Sequence, residues 1–442
     1  MFPNPQSALP LPLRPSLERY RKIAKELVRA CKSGQPESLR TWAEQWVQAL
    51  VRLSRIDVTP QLPVHTREWI DGVENFTRRQ MLTGECMCAL ADAQFVLARS
   101  HGFESWPKFV RHLESLAAGN SSASRFETAA NAIVSGDAAA LKRLLSEEPE
   151  LVRARSTREH GATLLHYVSA NGVEGYRQKT PENIVEIAEI LLQAGAEVDA
   201  TADVYGGGCT ALGLAATSVH PEQAGMQEAL LQKLLDFGAA INPNSIAPIS
   251  IAGNGQSLVM ACLANGRPRA AAYLASCGAR YGLVETAALG QMDRLRSFFE
   301  GNGDPQSRLA PSQLEAAFLY ACQFGPIEVV AFLIQQGVNI AARDRDGQTG
   351  LHHAVMGCNL QTVRLMSGYT ELLEIVNVYG GTPAGQALWC AAHDEDPDRY
   401  IPILDSLFVA GAKLPARHPA ISTHSDAWLK ERNSIVEPAW SW

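Results

Sequence analysis

A turn-and-helix pattern that recurs along the chain restricts its possible folds more than any other feature. The pattern is clearest at residues 346–354, which read DGQTGLHHA. Gly347 tolerates the positive φ of a tight turn, and Thr349 is a residue type that caps the start of a helix. Leu351 and Ala354 are expected to face inward, and alanine is small enough for helices to stack closely. One such unit cannot bury its own apolar face, so its neighbours must complete the core.

Eight segments align on the position of Thr349, although several keep only part of the pattern. The aligned positions are Glu127, Thr163, Thr210, Gln256, Tyr281, Ala316, Thr349 and Thr382. The last two intervals are 33 residues long, two earlier ones are 47 and 46, and one is only 25. The long intervals predict insertions between paired helices at 175–181 and 219–225, and a third insertion is expected at 393–402. The short interval predicts that a hairpin is missing near 280–282.

The second helix of several aligned segments ends at a glycine, where a left-handed residue is favoured. These glycines are Gly195, Gly238, Gly278, Gly337 and Gly411. Together with the period of about 33, the pattern resembles the ankyrin repeat. The resemblance implies an all-α solenoid of about seven or eight paired-helix repeats over residues 125–415. It also implies a non-enzymatic protein-binding module without a cofactor, in which the Thr and His of each repeat hydrogen-bond to each other and to the next repeat.

The region before the repeats reads as a separate helical domain. Residues 90–107 resemble a segment from the N-terminal helical region of bacterial ankyrin repeat proteins, a resemblance that carries no biochemical activity. His101 and Trp106 could be read as a site, but Gly102 is expected to turn the chain while Phe103 and Trp106 fill the core between two helices. The predicted divisions are a flexible Pro-rich lead-in at 1–15, a helical domain at 16–118, a linker at 119–124, the repeats at 125–415 and a C-terminal cap at 416–442.

Composition narrows the class of partner. The net charge of −7 disfavours binding to nucleic acid or to an anionic membrane. Residues 1–118 nevertheless carry 16 Lys+Arg against 12 Asp+Glu, so this basic segment could dock on the acidic repeats, meet an acidic partner or simply be solvated. Nine scattered cysteines fit a reducing cytoplasm better than a disulfide scaffold. No apolar run reaches the roughly 18 residues of a membrane span.

The predicted binding surfaces are the concave face of the solenoid, the hairpin tips and the insertion loops, and the tips and insertions supply the candidate residues. The insertion near 176–179 reads as an exposed loop with an aromatic and two cations, residue types that contribute binding energy at interfaces, although a solvated loop would look the same. Insertions at one corner of stacked repeats lie along one edge, often the binding edge. The residues predicted to contact a protein partner are Tyr176, Arg177, Lys179, Tyr205, His220, Arg343 and Arg345.

A different class of function stays open at the loops near Tyr205 and His220. Residues 205–208 read YGGG, which could cradle a phosphate, but the run lacks the spacing of a known nucleotide motif. The run lies at a hairpin, where glycine is favoured because it tolerates the positive φ of a tight turn. Cys209 with His166 or His220 could form a nucleophile pair, and a zinc site that adds His160 has no ligand spacing in its favour. A small-ligand sensor or enzyme at these loops is therefore the alternative to a protein-binding module.

Overall fold

The structure is a computed structural model in which the chain divides into two compact units, residues 1–279 and residues 280–442. The structure describes residues 2–54, 62–83, 87–242, 257–300, 309–394 and 396–414. The predicted C-terminal cap at 416–442 lies outside the described residues.

The first unit begins with five helices around an aromatic core. These helices are α1 (Leu17–Lys32), α2 (Ser38–Ser54), α3 (Leu62–Met81), α4 (Leu90–Ser100) and α5 (Trp106–Ala117). Tyr20 meets the edges of Phe109 and His101 at centroid distances of 4.9 and 5.2 Å. His101 is therefore a buried core residue, and Trp106 packs against the same core with Phe109, 5.8 Å away. Phe103 is fully buried in this core and the partly buried Trp106 packs against it, as predicted.

A disulfide closes this helical region. Cys31 at the end of α1 is bonded to Cys88, just before α4. Cys88 has a φ of +61°, in the left-handed region that few residues other than glycine adopt. The expectation of unpaired cysteines is therefore wrong for this pair, because residues distant in sequence are brought together by the packing of α1 against α4.

The N-terminal residues 2–15, here called the strap, are not a flexible lead-in. Ala8 and Leu9 are each only 1% exposed. The Leu9 amide donates to the Ser100 carbonyl at 2.7 Å, and the Leu9 carbonyl lies 2.9 Å from Nδ1 of His101. The predicted flexibility is wrong because Ala8 and Leu9, which lie between the prolines, are buried beside the end of α4.

The rest of the first unit consists of short paired helices. They are α6 (Ser122–Ser135), α7 (Ala138–Glu147), α8 (Leu164–Tyr167), α9 (Ile184–Gln193), α10 (Ala211–Thr217), α11 (Val219–Gln223), α12 (Gln227–Asp236), α13 (Leu258–Ala264) and α14 (Pro268–Ser276), with 3-10 turns at Pro149–Arg153 and Gly175–Arg177. An antiparallel ribbon pairs β1 (Thr201–Ala202) with β2 (Cys209–Thr210). The predicted linker is shorter than expected, because Ser121 caps α6 by accepting from the Ser124 amide, and residues 122–124 are helical.

The second unit repeats the paired-helix arrangement. Its helices are α15 (Leu283–Ala288), α16 (Met292–Ser297), α17 (Pro311–Phe324), α18 (Ile327–Gln335), α19 (Gly350–Met356), α20 (Leu360–Met366), α21 (Pro383–His393) and α22 (Ile401–Val409), with 3-10 turns at Thr370–Leu372 and Pro397–Tyr400. A continuous apolar core runs from Leu283 to Ala412. His352 binds the Thr349 hydroxyl at 2.9 Å through Nδ1, and its Nε2 lies 3.1 Å from the Gly381 carbonyl.

The alignment of the segments predicts six of the eight helix starts to within one residue, whereas Glu127 and Ala316 lie inside α6 and α17 rather than at their starts. Thr163, Thr210, Thr349 and Thr382 each cap the helix that follows, while two other caps fall one residue later than aligned, at Ser257 and Gly282. The terminal glycines adopt the expected positive φ, for example +94° at Gly195 and +79° at Gly337. No strand lies in the described segment between α14 and α15, which agrees with the predicted loss of a hairpin.

None of the helices in the described part of the chain is both long enough and apolar enough to cross a lipid bilayer.

Candidate interaction surfaces

The first insertion folds inward. Arg177 is only 5% exposed, although the sequence predicts an exposed loop. Its guanidinium contacts Glu127 of α6 through Nη2 at 2.7 Å and the Asn131 amide oxygen at 2.8 Å. Arg177 is thus held by the first helix of the preceding pair, and the expectation that this cation is presented to a partner is wrong.

Arg177 belongs to a buried cluster of four charged residues, here called the ion cluster: Glu127, Arg158, Glu174 and Arg177. Glu127 lies between the two guanidinium groups, with its second oxygen on Arg158. Nε of Arg158 lies 2.8 Å from Glu174, whose other arginine contact, to Arg177, spans 3.5 Å. Two positive and two negative charges balance, as a buried site requires.

The ion cluster keeps its carboxylates ionised. Burial opposes ionisation, but the two arginines outweigh it and lower the pKa of Glu127 and of Glu174 well below the usual range. Burial also works against the charge of Arg177, yet Glu127 keeps the pKa of this guanidinium above its ordinary value. All four groups therefore stay charged at neutral pH, and the cluster joins α6 to the first insertion.

Tyr176 and Lys179 flank the ion cluster. Nη2 of Arg158 donates to the half-buried Tyr176 hydroxyl at 3.4 Å, and the Arg177 guanidinium lies 5.5 Å from the Tyr176 ring centroid. Lys179 is exposed. Both residues line a cleft of about 840 Å³ between the strap and α6. Of the three predicted contact residues in this insertion, Lys179 alone is fully exposed.

Tyr205 occupies the tip between β1 and β2. It has a φ of +52°, and the three glycines that follow also have positive φ, between +73° and +100°. The Tyr205 hydroxyl donates to Oδ1 of Asn171 at 2.7 Å and accepts from the side-chain amide of Gln6 in the strap. The glycines serve the tight turn, and the tyrosine is held from two sides rather than free.

The thiol and imidazoles of this region are not arranged for nucleophilic catalysis. Burial raises the pKa of the Cys209 thiol to about 11, and the thiol donates to the Val204 carbonyl at 3.2 Å. His166 contacts the carbonyl of Cys209 rather than its sulfur, at 3.2 Å, and its Nδ1 binds Thr163 at 2.8 Å. Both ring nitrogens are thus occupied, and the idea of a Cys209–His166 pair is wrong.

His220 lies on α11 and is half-buried. Burial, with a smaller contribution from Arg267, lowers the pKa of its imidazole. Among the described residues, no hydrogen bond or ion pair joins its side chain to Tyr205 or Cys209. The structure therefore does not bring the two predicted loops together into one site.

The second unit presents an exposed surface at two neighbouring hairpin tips. Arg343 and Arg345 are exposed on the first tip. The second tip exposes 51% of Val376, 64% of Val378 and 78% of Tyr379. A hydrogen bond of 2.8 Å from the Val378 amide to a carbonyl of the first tip joins the two. These five residues are called the tip surface, and sequence reasoning missed its three apolar members.

The apolar half of the tip surface had a signal in the sequence. A shift of 33 residues, the repeat period, carries Arg343 onto Val376 and Arg345 onto Val378. The sequence therefore shows that two tip positions occupied by arginine in one repeat are occupied by valine in the next. Trp389, 54% exposed on α21 and stacked on His393, is a further exposed aromatic of this unit.

One family model matches part of the second unit. Residues 318–366, from α17 to the end of α20, match the family model described as ankyrin repeats (many copies). No curated protein matches the chain. Among solved structures, the human ASB11 ankyrin repeat domain matches at 18% identity with a TM-score of 0.32, covering 66% of this chain and 99% of that one.

Proposed function

We propose that the chain is a non-enzymatic protein-binding module whose tip surface contacts a protein partner. The family match over 318–366 supports ankyrin-type repeats, which generally mediate protein–protein interactions. We extend the repeats to about seven or eight paired-helix units stacked as a solenoid over residues 125–415, after the helical domain at 16–118. The binding of protein rather than nucleic acid stays a prediction from the net charge of −7.

The exposed tip surface is the observation that carries this proposal. Three large apolar side chains side by side cost free energy in water unless a partner covers them. Tyrosine and arginine are enriched among the residues that dominate binding energy, and here Tyr379 is exposed on the second tip while Arg343 and Arg345 are exposed on the first. The tip surface therefore combines apolar and cationic side chains on two hydrogen-bonded tips.

Site-specific photocrosslinking tests this proposal. A photoreactive amino acid at Val378 of the full chain is expected to capture a protein partner that is not captured from Arg364, an exposed position on α20. Tyr379→Ala should lower the yield from Val378 about 30-fold, the equivalent of roughly 2 kcal/mol at an interface hot spot. Equal capture from the two positions, or a yield that Tyr379→Ala leaves unchanged, would contradict the proposal.

The first insertion supplies two of the proposed contact residues. Lys179 and Tyr176 are proposed to contact the partner, while Arg177 is not, because it is buried. The alternative of a small-ligand sensor or enzyme at the Tyr205 and His220 loops has less support, since the nearby Cys209 thiol is buried with a raised pKa. A cytoplasmic location also stays a prediction.

A further inference from the structure

The strap is held in the first unit in the way that a bound peptide is held. Its Gln6 carbonyl accepts from the Gly175 amide at 3.1 Å, and its Gln6 side chain donates to the Tyr205 hydroxyl. Three residues later, Leu9 makes one donor and one acceptor contact, with the Ser100 carbonyl and the His101 ring. Main-chain contacts of this kind give affinity for an extended segment, and the pockets between them give specificity.

The surface under the strap is shaped around an extended backbone. A Cβ atom on Gly175 would lie 2.3 Å from the Gln6 carbonyl oxygen, which is closer than any real contact. A Cβ atom on Gly72 would lie 3.0 Å from the Phe2 ring. Glycine at these two positions lets the strap approach the backbone closely, as glycine does where another chain or ligand passes.

The centre of the strap fills an apolar pocket. Ala8 and Leu9 are 1% exposed, and Leu9 joins the aromatic core of the helical domain. His101 stacks on Phe109 at 5.2 Å and offers Nδ1 to the strap, so one buried ring serves both as wall and as hydrogen-bond partner. A segment with a charge at position 8 or 9 would not bind in this pocket, because burying an unpaired charge is costly.

The strap forms no helix or strand. Its own structure is one local turn, in which the Ser7 amide donates to Oδ1 of Asn4 at 2.7 Å and the Ala8 amide donates to the Pro5 carbonyl. Outside this turn its conformation comes from the groove, which is defined here by Gly72, Ser100, His101, Gly175 and Tyr205. Such a segment can leave its groove without unfolding an element of its own.

We propose that this groove is a peptide-binding site that the chain occupies with its own strap, and that an extended segment of a partner protein displaces it. The partner segment resembles residues 6–10 in chemistry: a glutamine, then a small apolar residue and a leucine two and three positions later, followed by proline, without charge. The groove belongs to the first unit and the tip surface to the second, so the proposal rests on different residues from the proposed function and stands independently of it.

The tethered strap competes with any partner. Because it is part of the same chain, its effective concentration at the groove is of the order of millimolar. A free peptide of the same sequence therefore binds the intact chain weakly, and binds well once the strap no longer fits. This difference separates a peptide-binding groove from a surface that merely packs against the N-terminal residues.

The experiment uses the full chain and a fluorescent peptide of residues 2–15. Leu9→Asp in the chain should release the strap, and this variant is expected to bind the peptide at least tenfold more tightly than the unchanged chain. A peptide that itself carries Leu9→Asp is the matched control and should not bind. Equal affinity for the two chains, or no binding to a Leu9→Asp chain whose circular dichroism shows a folded protein, would overturn the proposal.

A second measurement needs no variant of the chain. Hydrogen exchange of the Leu9 amide, which donates to Ser100, is followed in the unchanged protein with increasing peptide. Displacement should speed the exchange of this amide at least tenfold while the amides of α4 stay protected. An exchange rate that stays constant up to millimolar peptide would overturn the proposal even if Leu9→Asp fails to fold.

Discussion

At the scale of single residues, Arg177 shows how a buried network decides the role of a side chain. Its contacts to Glu127 and Glu174 replace the water that a loop arginine would have. Removing one partner of a buried ion network leaves the opposite charge uncompensated, at a cost of about 3–5 kcal/mol. The arginine therefore acts on stability rather than on binding.

We expect Arg177→Met to lower the free energy of unfolding of the first unit by about 3–5 kcal/mol. Lys179→Met, two residues away on the exposed side of the same insertion, is the control and should cost less than about 1 kcal/mol. Denaturant unfolding followed by circular dichroism measures both. Similar losses for the two variants would show that the ion cluster contributes no more than a surface contact.

The sequence predicts residue types better than it predicts their surroundings. The Thr and His of the repeat pattern lie where the alignment places them because their partners are three residues away or one repeat along. Arg177 was misplaced because its partner Glu127 is 50 residues distant and nothing in the local sequence marks the pair. Loops usually lie on the surface, and that general rule fails where an insertion carries its own charged partners inward.

At the scale of elements, the strap and the disulfide show where composition misleads. Five prolines indicate a flexible segment, yet Leu9 and Leu11 alternate with Pro10 and Pro12, and Leu9 is buried. That alternation was a visible signal for packing. The odd number of cysteines gave no such signal for Cys31–Cys88, because pairing depends on how α1 and the turn before α4 meet.

The Cys31–Cys88 bond should stabilise the helical domain. Its partners are 57 residues apart, and closing a loop of this length removes chain entropy from the unfolded state worth about 4 kcal/mol. Cys88→Ser is expected to lower the free energy of unfolding by about that amount, and a reducing agent should do the same to the unchanged chain. Cys277→Ser, at an exposed free cysteine, is the control. A reducing agent that destabilises the Cys88→Ser chain equally would contradict this assignment.

At the scale of the whole molecule, both units contain buried neutral histidines that accept or donate hydrogen bonds within the core. Burial lowers the pKa of His101 to about 3 and those of His166 and His352 to about 4. The unfolded chain takes up these protons near pH 6.5. The stabilisation is therefore complete above pH 6.5 and is lost as the pH falls towards the folded-state values.

This linkage predicts how the chain responds to mild acid. Between pH 6.5 and 5.0 each of these histidines should reduce the free energy of unfolding by about 2 kcal/mol, so Tm should fall steadily over this range in both units. His101→Gln, whose amide can still donate to the Leu9 carbonyl, should flatten the decline of the first unit. His65→Gln, at an exposed side chain on α3, should leave it unchanged. A Tm that is constant from pH 7.5 to 5.0 would mean that the buried imidazoles take up protons in the folded state after all, which their closed hydrogen-bonded surroundings oppose.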